Sequence, residues 1–212
     1  MIDQLGIALT IPGKAEDTYG RARELMERFA AGATQALRSL SIQSGFRRKN
    51  DLEVNGRKIA GLGIYRDVSG GLLFHASLLL DMDISLMLQI LNTPFEKSSD
   101  KEFRTVEGRI ETIRHAIGRS ISMEEVREKM AEAYARTFGV EFLNEEFAPD
   151  EIDDIRKLER EKYRSNDWIY QNIEVPDTTG SAKVKTPSGL LDVSVSLAGD
   201  MIKAVWIRGD FF

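Results

Sequence analysis

The 212-residue chain contains no cysteine. That excludes disulfides, thiolate metal sites and a cysteine nucleophile within these residues. No apolar run approaches the roughly 20 residues of a membrane-spanning helix. An excess of positive charge is also missing: 29 Lys and Arg face 34 Asp and Glu, a formal net charge of −5, which gives no electrostatic reason to expect nucleic acid or an anionic membrane as a partner. The stretch MIDQLGIALTIP has an apolar run but no basic leader and no small-residue cleavage site, so a signal peptide is not expected and a cytoplasmic location is. Histidine is scarce, with two in the chain. His115 has no second histidine or cysteine close by in sequence, so a packing role is expected rather than metal ligation. The hydrophobic fraction of 42% is ordinary, and the length allows one large domain, alone or with a small second one.

Against these absences, one stretch organises the chain. Asn50 to Asp81, NDLEVNGRKIAGLGIYRDVSGGLLFHASLLLD, reads as three strands. Leu52–Val54 closes on Asn55-Gly56, a dipeptide suited to a two-residue hairpin turn. Arg57–Tyr65 returns from it, Asp67–Gly71 makes a looser turn, and Leu72–Leu80 is the third strand. Phe74, Ala76, Leu78 and Leu80 fall on one face of that strand, His75 and Ser77 on the other. Lys58 stands near Gly61 and Gly63, small residues that let a ligand approach the backbone. A compact ammonium there suits a phosphate or a polarised carbonyl. The plainer reading is a solvated lysine beside a bulge on an exposed sheet face, and the residues by themselves leave both open.

Around this stretch the periodicity predicts a scaffold. Leu5–Ile11 reads as a buried strand ended by Pro12-Gly13. Glu16 to Leu40 is expected to be helical, with Ala22, Leu25, Met26, Phe29, Ala33 and Leu37 on one face and Glu16 and Asp17 at its start; Gly20 and Gly32 argue against a uniform helix. Arg47, Arg48 and Lys49 read as a solvated, charged strand edge. Asp83 opens a short helix, Ile84 to Leu91, which Asn92-Thr93-Pro94 ends; Phe95 to Arg104 reads as charged and irregular. Ser122 with Glu125 signals a capping box for a helix through Phe138, stopped by Gly139. Val140–Leu143 reads as a strand, and Asp150–Tyr163 as a charged helix with a narrow stripe of Ile152, Ile155 and Leu158. After a linker that includes Pro176 to Gly180, the last 30 or so residues alternate as a three-stranded meander with turns at Pro187-Ser188-Gly189 and Gly199-Asp200.

Two motifs carry a resemblance. NDLEVNGRKIAGLGIYR followed by GGLLFHASLLLD, and KYRSNDWIY near position 163, resemble signatures of lipoate–protein ligases, within the wider biotin/lipoate ligase and octanoyltransferase family. VEGRIETIRHAI is similar to the family's stretch after its lysine-bearing sheet. The resemblance implies an α/β (α+β) fold, a mixed sheet flanked by helices, with a catalytic region over 1–167, a linker over 168–180 and a partial accessory β element over 181–212. It implies that Lys58 holds the acyl carbonyl and adenylate phosphate of lipoyl-AMP. Asn50 and Asp51 match the family's adenylate-side Asn-Asp pair, Asp51 being a possible Mg ligand; Gly61 and Gly63 line the ligand, and His75 matches the family's histidine.

The expected function is ATP-dependent adenylation of lipoate and transfer of the lipoyl group to a lysine of an acceptor lipoyl domain. The family's octanoyltransferase branches work through a cysteine thioester, which this cysteine-free sequence cannot form by itself. The family's Arg-Arg, glycine-run and His-Asp signature, which lines the lipoyl tail, has no counterpart here. A second polypeptide carrying that half is therefore expected, docked on the sheet edge at Leu5–Ile11. The alternatives are an octanoyl or lipoyl transferase subunit whose nucleophile lies on a partner chain, a non-catalytic lipoyl-domain-binding protein, and a degenerate duplicate.

Overall fold

The computed structural model describes residues 2–12, 22–47, 50–68, 70–90, 108–170, 177–186 and 189–209. Expectations for Glu16, Asp17, Gly20, Arg48, Lys49, Asn92-Thr93-Pro94, Phe95 to Arg104, Pro176 and Pro187-Ser188 fall outside them. The chain is α+β and divides into two compact units, 1–143 and 144–212. The division lies before the charged helix, so that helix groups with the C-terminal strands. Among the described residues no helix is long and apolar enough to cross a membrane.

The first unit is a five-stranded antiparallel sheet. Its strands are Ile2–Ile11 (β1), Gly45–Arg47 (β2), Asp51–Val54 (β3), Arg57–Arg66 (β4) and Leu72–Met82 (β5), in the order β1-β5-β4-β3-β2. Asn55 and Gly56 turn β3 into β4, both with positive φ (51° and 78°), the geometry a two-residue hairpin loop requires. One face of the sheet carries Leu52, Val54, Ala60, Leu62, Phe74, Ala76 and Leu78, all buried. Helices Ala22–Ser39 (α1) and Met123–Phe138 (α4) cover that face. Phe29 of α1 joins the two layers, its ring 5.4 Å from Phe74 and 5.5 Å from Phe138.

Gly32, an unfavourable residue within a helix, has a packing reason: a Cβ there would lie 2.3 Å from the Tyr134 ring of α4. The glycine lets the two helices approach. The expected cap of α4 is present, Ser122 Oγ accepting from the Glu125 N–H at 3.0 Å, with Gly139 left-handed at the far end. The Glu125 carboxylate bonds Arg119. Asp83 caps the short helix Ile84–Ile90 (α2) by accepting from Leu86 N–H. A one-turn helix, Ile113–Ile117 (α3), packs on β5, and its Arg114 reaches both Asp3 and Asp81 at 3.0 and 2.9 Å. The guanidinium's hydrogen bond holds the Asp81 carboxyl below its ordinary range.

Val140–Leu143 is not a strand. The segment is irregular and exposed, and no strand pairs with it among the described residues. A short apolar run forms a strand only where a partner edge is presented.

The second unit contains helix Pro149–Leu158 (α5), a π-helical turn Glu159–Tyr163, and the short helix Asn166–Ile169 (α6). The Ile155 and Leu158 side chains of the apolar stripe remain exposed. Within KYRSNDWIY, Ser165 caps α6 by accepting from Trp168 N–H at 3.2 Å, and Tyr163 meets Trp168 edge to face at 5.0 Å. Lys162 lies over the Trp168 ring at 4.9 Å. That motif is a local staple. The meander forms as expected: Gly180–Thr186 (β6), Gly189–Ala198 (β7) and Met201–Gly209 (β8), antiparallel in that order.

Candidate functional site

The face of the first sheet opposite α1 and α4 carries the candidate residues. Strict alternation along β4 would send Lys58 into the core together with Ala60 and Leu62. A bulge prevents this. The β3–β4 register passes from Leu52↔Ala60 to Glu53↔Lys58, so Ile59 and Ala60 are both buried and Lys58 turns to the open face. Its Nζ lies 2.6 Å from Asp51 Oδ1, with the two side chains 43% and 24% exposed. The contact is an ion pair rather than an aligned hydrogen bond, since among the described residues none donates a hydrogen bond to Asp51 Oδ1. An ammonium and a carboxylate so placed retain capacity for a third polar group.

Gly61 lies directly across from Asp51 and Ser77 from Gly61, and Ser77 in turn faces Gly6 of β1. Beside this row runs a second, Gly63, His75 and Ala8. The result is a shallow strip of small residues crossing four strands, close to the Lys58–Asp51 pair. A Cβ on Gly61 would touch Lys58 Nζ at 3.4 Å, and one on Gly63 would fall 2.0 Å from His75 Nε2. Each glycine therefore leaves room for the neighbouring functional side chain. His75 is exposed, its imidazole lying over Gly63.

Asn50 plays a different part. Its side-chain amide donates to Leu62 O at 3.2 Å, and its carbonyl accepts from Leu62 N–H at 2.7 Å. It ties the start of β3 to β4 at the residue before Asp51. Arg47, on the edge strand β2, pairs with Glu53 at 2.5 Å, which blunts that edge as a charged side chain does. The Nδ1 of His115 lies 2.5 Å from Glu111 Oε1. Among the described residues no group of three or more His, Asp or Glu is arranged to hold a metal ion.

The structure thus brings Lys58, Asp51, Gly61, Gly63 and His75 onto one face and sets Asn50 behind Asp51. Sequence reasoning placed Ser77 on the His75 face but missed Gly6 and Ala8. Gly6 and Ala8 join the strip only because β1 pairs with β5, a neighbour more than 60 residues away in sequence, as the registers Gly6↔Ser77 and Ala8↔His75 show.

Residues 3–135 match the model of the lipoyl protein ligase A/B catalytic domain. Over 200 residues the chain is 29% identical to lipoate–protein ligase 2 of Staphylococcus aureus, a match covering 88% of this chain and 55% of that protein. Over 121 residues it is 28% identical to the octanoyltransferase LipM of Bacillus subtilis, covering 57% of this chain and 43% of that one. The chain spans about half the length of the curated relatives it matches. Among solved structures it is similar to a bi-partite lipoate protein ligase from Thermoplasma acidophilum described with its E2 lipoyl domain. The TM-score is 0.64 at 22% identity, over 78% of this chain and 63% of that one.

Proposed function

Because the chain belongs to the lipoyl protein ligase A/B catalytic domain family, we propose that it is one chain of a split, ATP-dependent lipoate–protein ligase. The observation that carries this reading is the Lys58–Asp51 ion pair, 2.6 Å apart beside a glycine-lined open sheet face. In the first step a lipoate carboxylate oxygen attacks the α-phosphorus of ATP and pyrophosphate leaves. In the second, the amine of an acceptor lipoyl-domain lysine attacks the acyl carbonyl and AMP leaves.

Lys58 stabilises the negative charge that grows on the phosphate and then on the carbonyl oxygen. Asp51 orients Lys58, Asn50 fixes Asp51 by locking β3 to β4, and Gly61 and Gly63 allow the ligand to lie against the strand. His75 borders the acyl side. Mg fits here only as a shared ion, held by Asp51 together with phosphate oxygens, the way Mg²⁺ is commonly bound; the described residues build no cage for it.

The partner chain supplies the remaining wall of the acyl site and docks on β1. That strand is 10 residues long and pairs only with β5 among the described residues. Its Leu5, Ile7, Leu9 and Ile11 are only partly buried. A long apolar edge strand of this kind suits an added strand.

The test is lipoylation of an apo lipoyl domain read by intact mass, with this chain alone and with a polypeptide carrying the Arg-Arg, glycine-run half, each with and without ATP. Mass gain only in the ATP-containing mixture supports the split ligase. A gain from an octanoyl donor without ATP, with the nucleophile on the partner, supports the transferase reading that the LipM likeness favours. Full ATP-dependent activity of the chain alone contradicts the split.

A further inference from the structure

A buried carboxylate stands behind Lys58, and the proposed chemistry does not use it. Glu111 is 2% exposed. Burying a charge is costly unless it is fully bonded, and this one is. Its Oε2 takes the Arg57 guanidinium, while Oε1 accepts from the Thr112 N–H at 3.0 Å and meets His115 Nδ1 at 2.5 Å. The same residue also holds Lys58 through the backbone. Glu111 N–H donates to Lys58 O and Lys58 N–H donates to Arg109 O, both at 2.8 Å. This is an isolated parallel bridge in an otherwise antiparallel sheet.

Its position gives it meaning. β5 pairs with β4 from Ala60 to Arg66 and stops short of Lys58. On that side of β4, among the described residues, only 109–111 holds the Lys58 backbone. On the other side lies the bulge, where the ladder is disrupted. At such a point the register is weakly held, and a loosened Lys58 backbone would let its ammonium leave Asp51.

We propose that Glu111 is a positioning residue for Lys58, clamping the bulged start of β4 by its backbone on Lys58 and its carboxylate on Arg57. It touches no reacting atom. The inference rests on the reading of Lys58 as the working cation of the site, but its test does not need activity.

The experiment compares the full chain with Glu111→Gln, Arg57→Gln and Asp51→Asn. Each is treated with a limiting amine-reactive ester, and labelling of Lys58 is measured by peptide mass relative to Lys203, which pairs with Asp177 in the other unit. An ammonium held against a carboxylate must leave it before it reacts. Loosening the clamp should raise the Lys58-to-Lys203 ratio roughly three- to tenfold in Glu111→Gln and Arg57→Gln, as in Asp51→Asn, the scale of one lost hydrogen bond. If Glu111→Gln does not fold, Arg57→Gln decides, because it removes only the side-chain attachment. A folded variant with a wild-type ratio, or one in which all lysines gain equally, overturns the proposal. If the ratio moves as expected while Lys58→Ala leaves lipoylation intact, the positioning stands and the reading of the site falls.

Discussion

The imidazole of His75 occupies the space that a side chain at Gly63 would need: a Cβ on Gly63 would lie 2.0 Å from His75 Nε2. The two residues are cross-strand partners on the open face. Gly63→Ala should therefore displace an exposed imidazole rather than the core. The expected stability change is within about 1 kcal/mol, typical of surface substitutions. Acyl transfer should fall about tenfold, in step with His75→Ala. Thermal unfolding and the intact-mass assay on the same samples check both parts.

Gly32→Ala should destabilise, against helix propensity. Alanine gains about 1 kcal/mol in a helix interior, but a Cβ pressed into the Tyr134 ring costs about 1–3 kcal/mol as overpacking. A net loss is expected in urea unfolding, and Gly32→Ala combined with Tyr134→Leu should recover much of it.

Tyr134 should make the fold sensitive to alkali. Burial pushes its phenol pKa up, the backbone of Ala33 opposing, and among the described residues no well-aligned hydrogen bond reaches its hydroxyl. A raised folded pKa means the contribution is complete below the ordinary tyrosine value near 10 and is lost as pH rises above it. Urea midpoints should thus decline above about pH 10, and decline less in Tyr134→Phe. At neutral pH that variant should match or slightly exceed the wild type, since it removes a buried hydroxyl that lacks a well-aligned hydrogen bond.

The Arg114 clip gives the opposite sign. Asp81's carboxyl is held low, first by the Arg114 hydrogen bond, opposed by desolvation and aided by the Met82 N–H. Its contribution is present above the ordinary carboxylate range near pH 4 and lost as pH falls below it. Arg114→Met should raise the pH of acid unfolding slightly, because Asp81 is about half exposed and solvent screens the pair.

The hairpin was legible because Asn55-Gly56 requires a backbone few other dipeptides adopt. The burial of Phe74, Ala76, Leu78 and Leu80 was legible from alternation alone. What hid the site was the bulge: strict parity along β4 puts Lys58 on the core face, and only the slip at Leu52/Glu53 turns it outward. The adjacency of Gly6 to Ser77 was invisible because it depends on strand order. β2, at three residues, is too short to leave a period. Val140–Leu143 misled because its apolar residues resemble a strand that no neighbouring edge completes.

The measurement that bears most directly on the central claim is ATP-dependent lipoylation by the two-chain mixture with Lys58→Ala in place of the wild-type chain. Losing a cation that acts on developing charge should cost on the order of 3–4 kcal/mol of barrier, a fall of about 10²–10³-fold. The thermal midpoint should stay close to wild type. A folded Lys58→Ala chain that supports the wild-type rate would contradict the account, and Lys58 would be a lysine on a sheet face with no part in the chemistry.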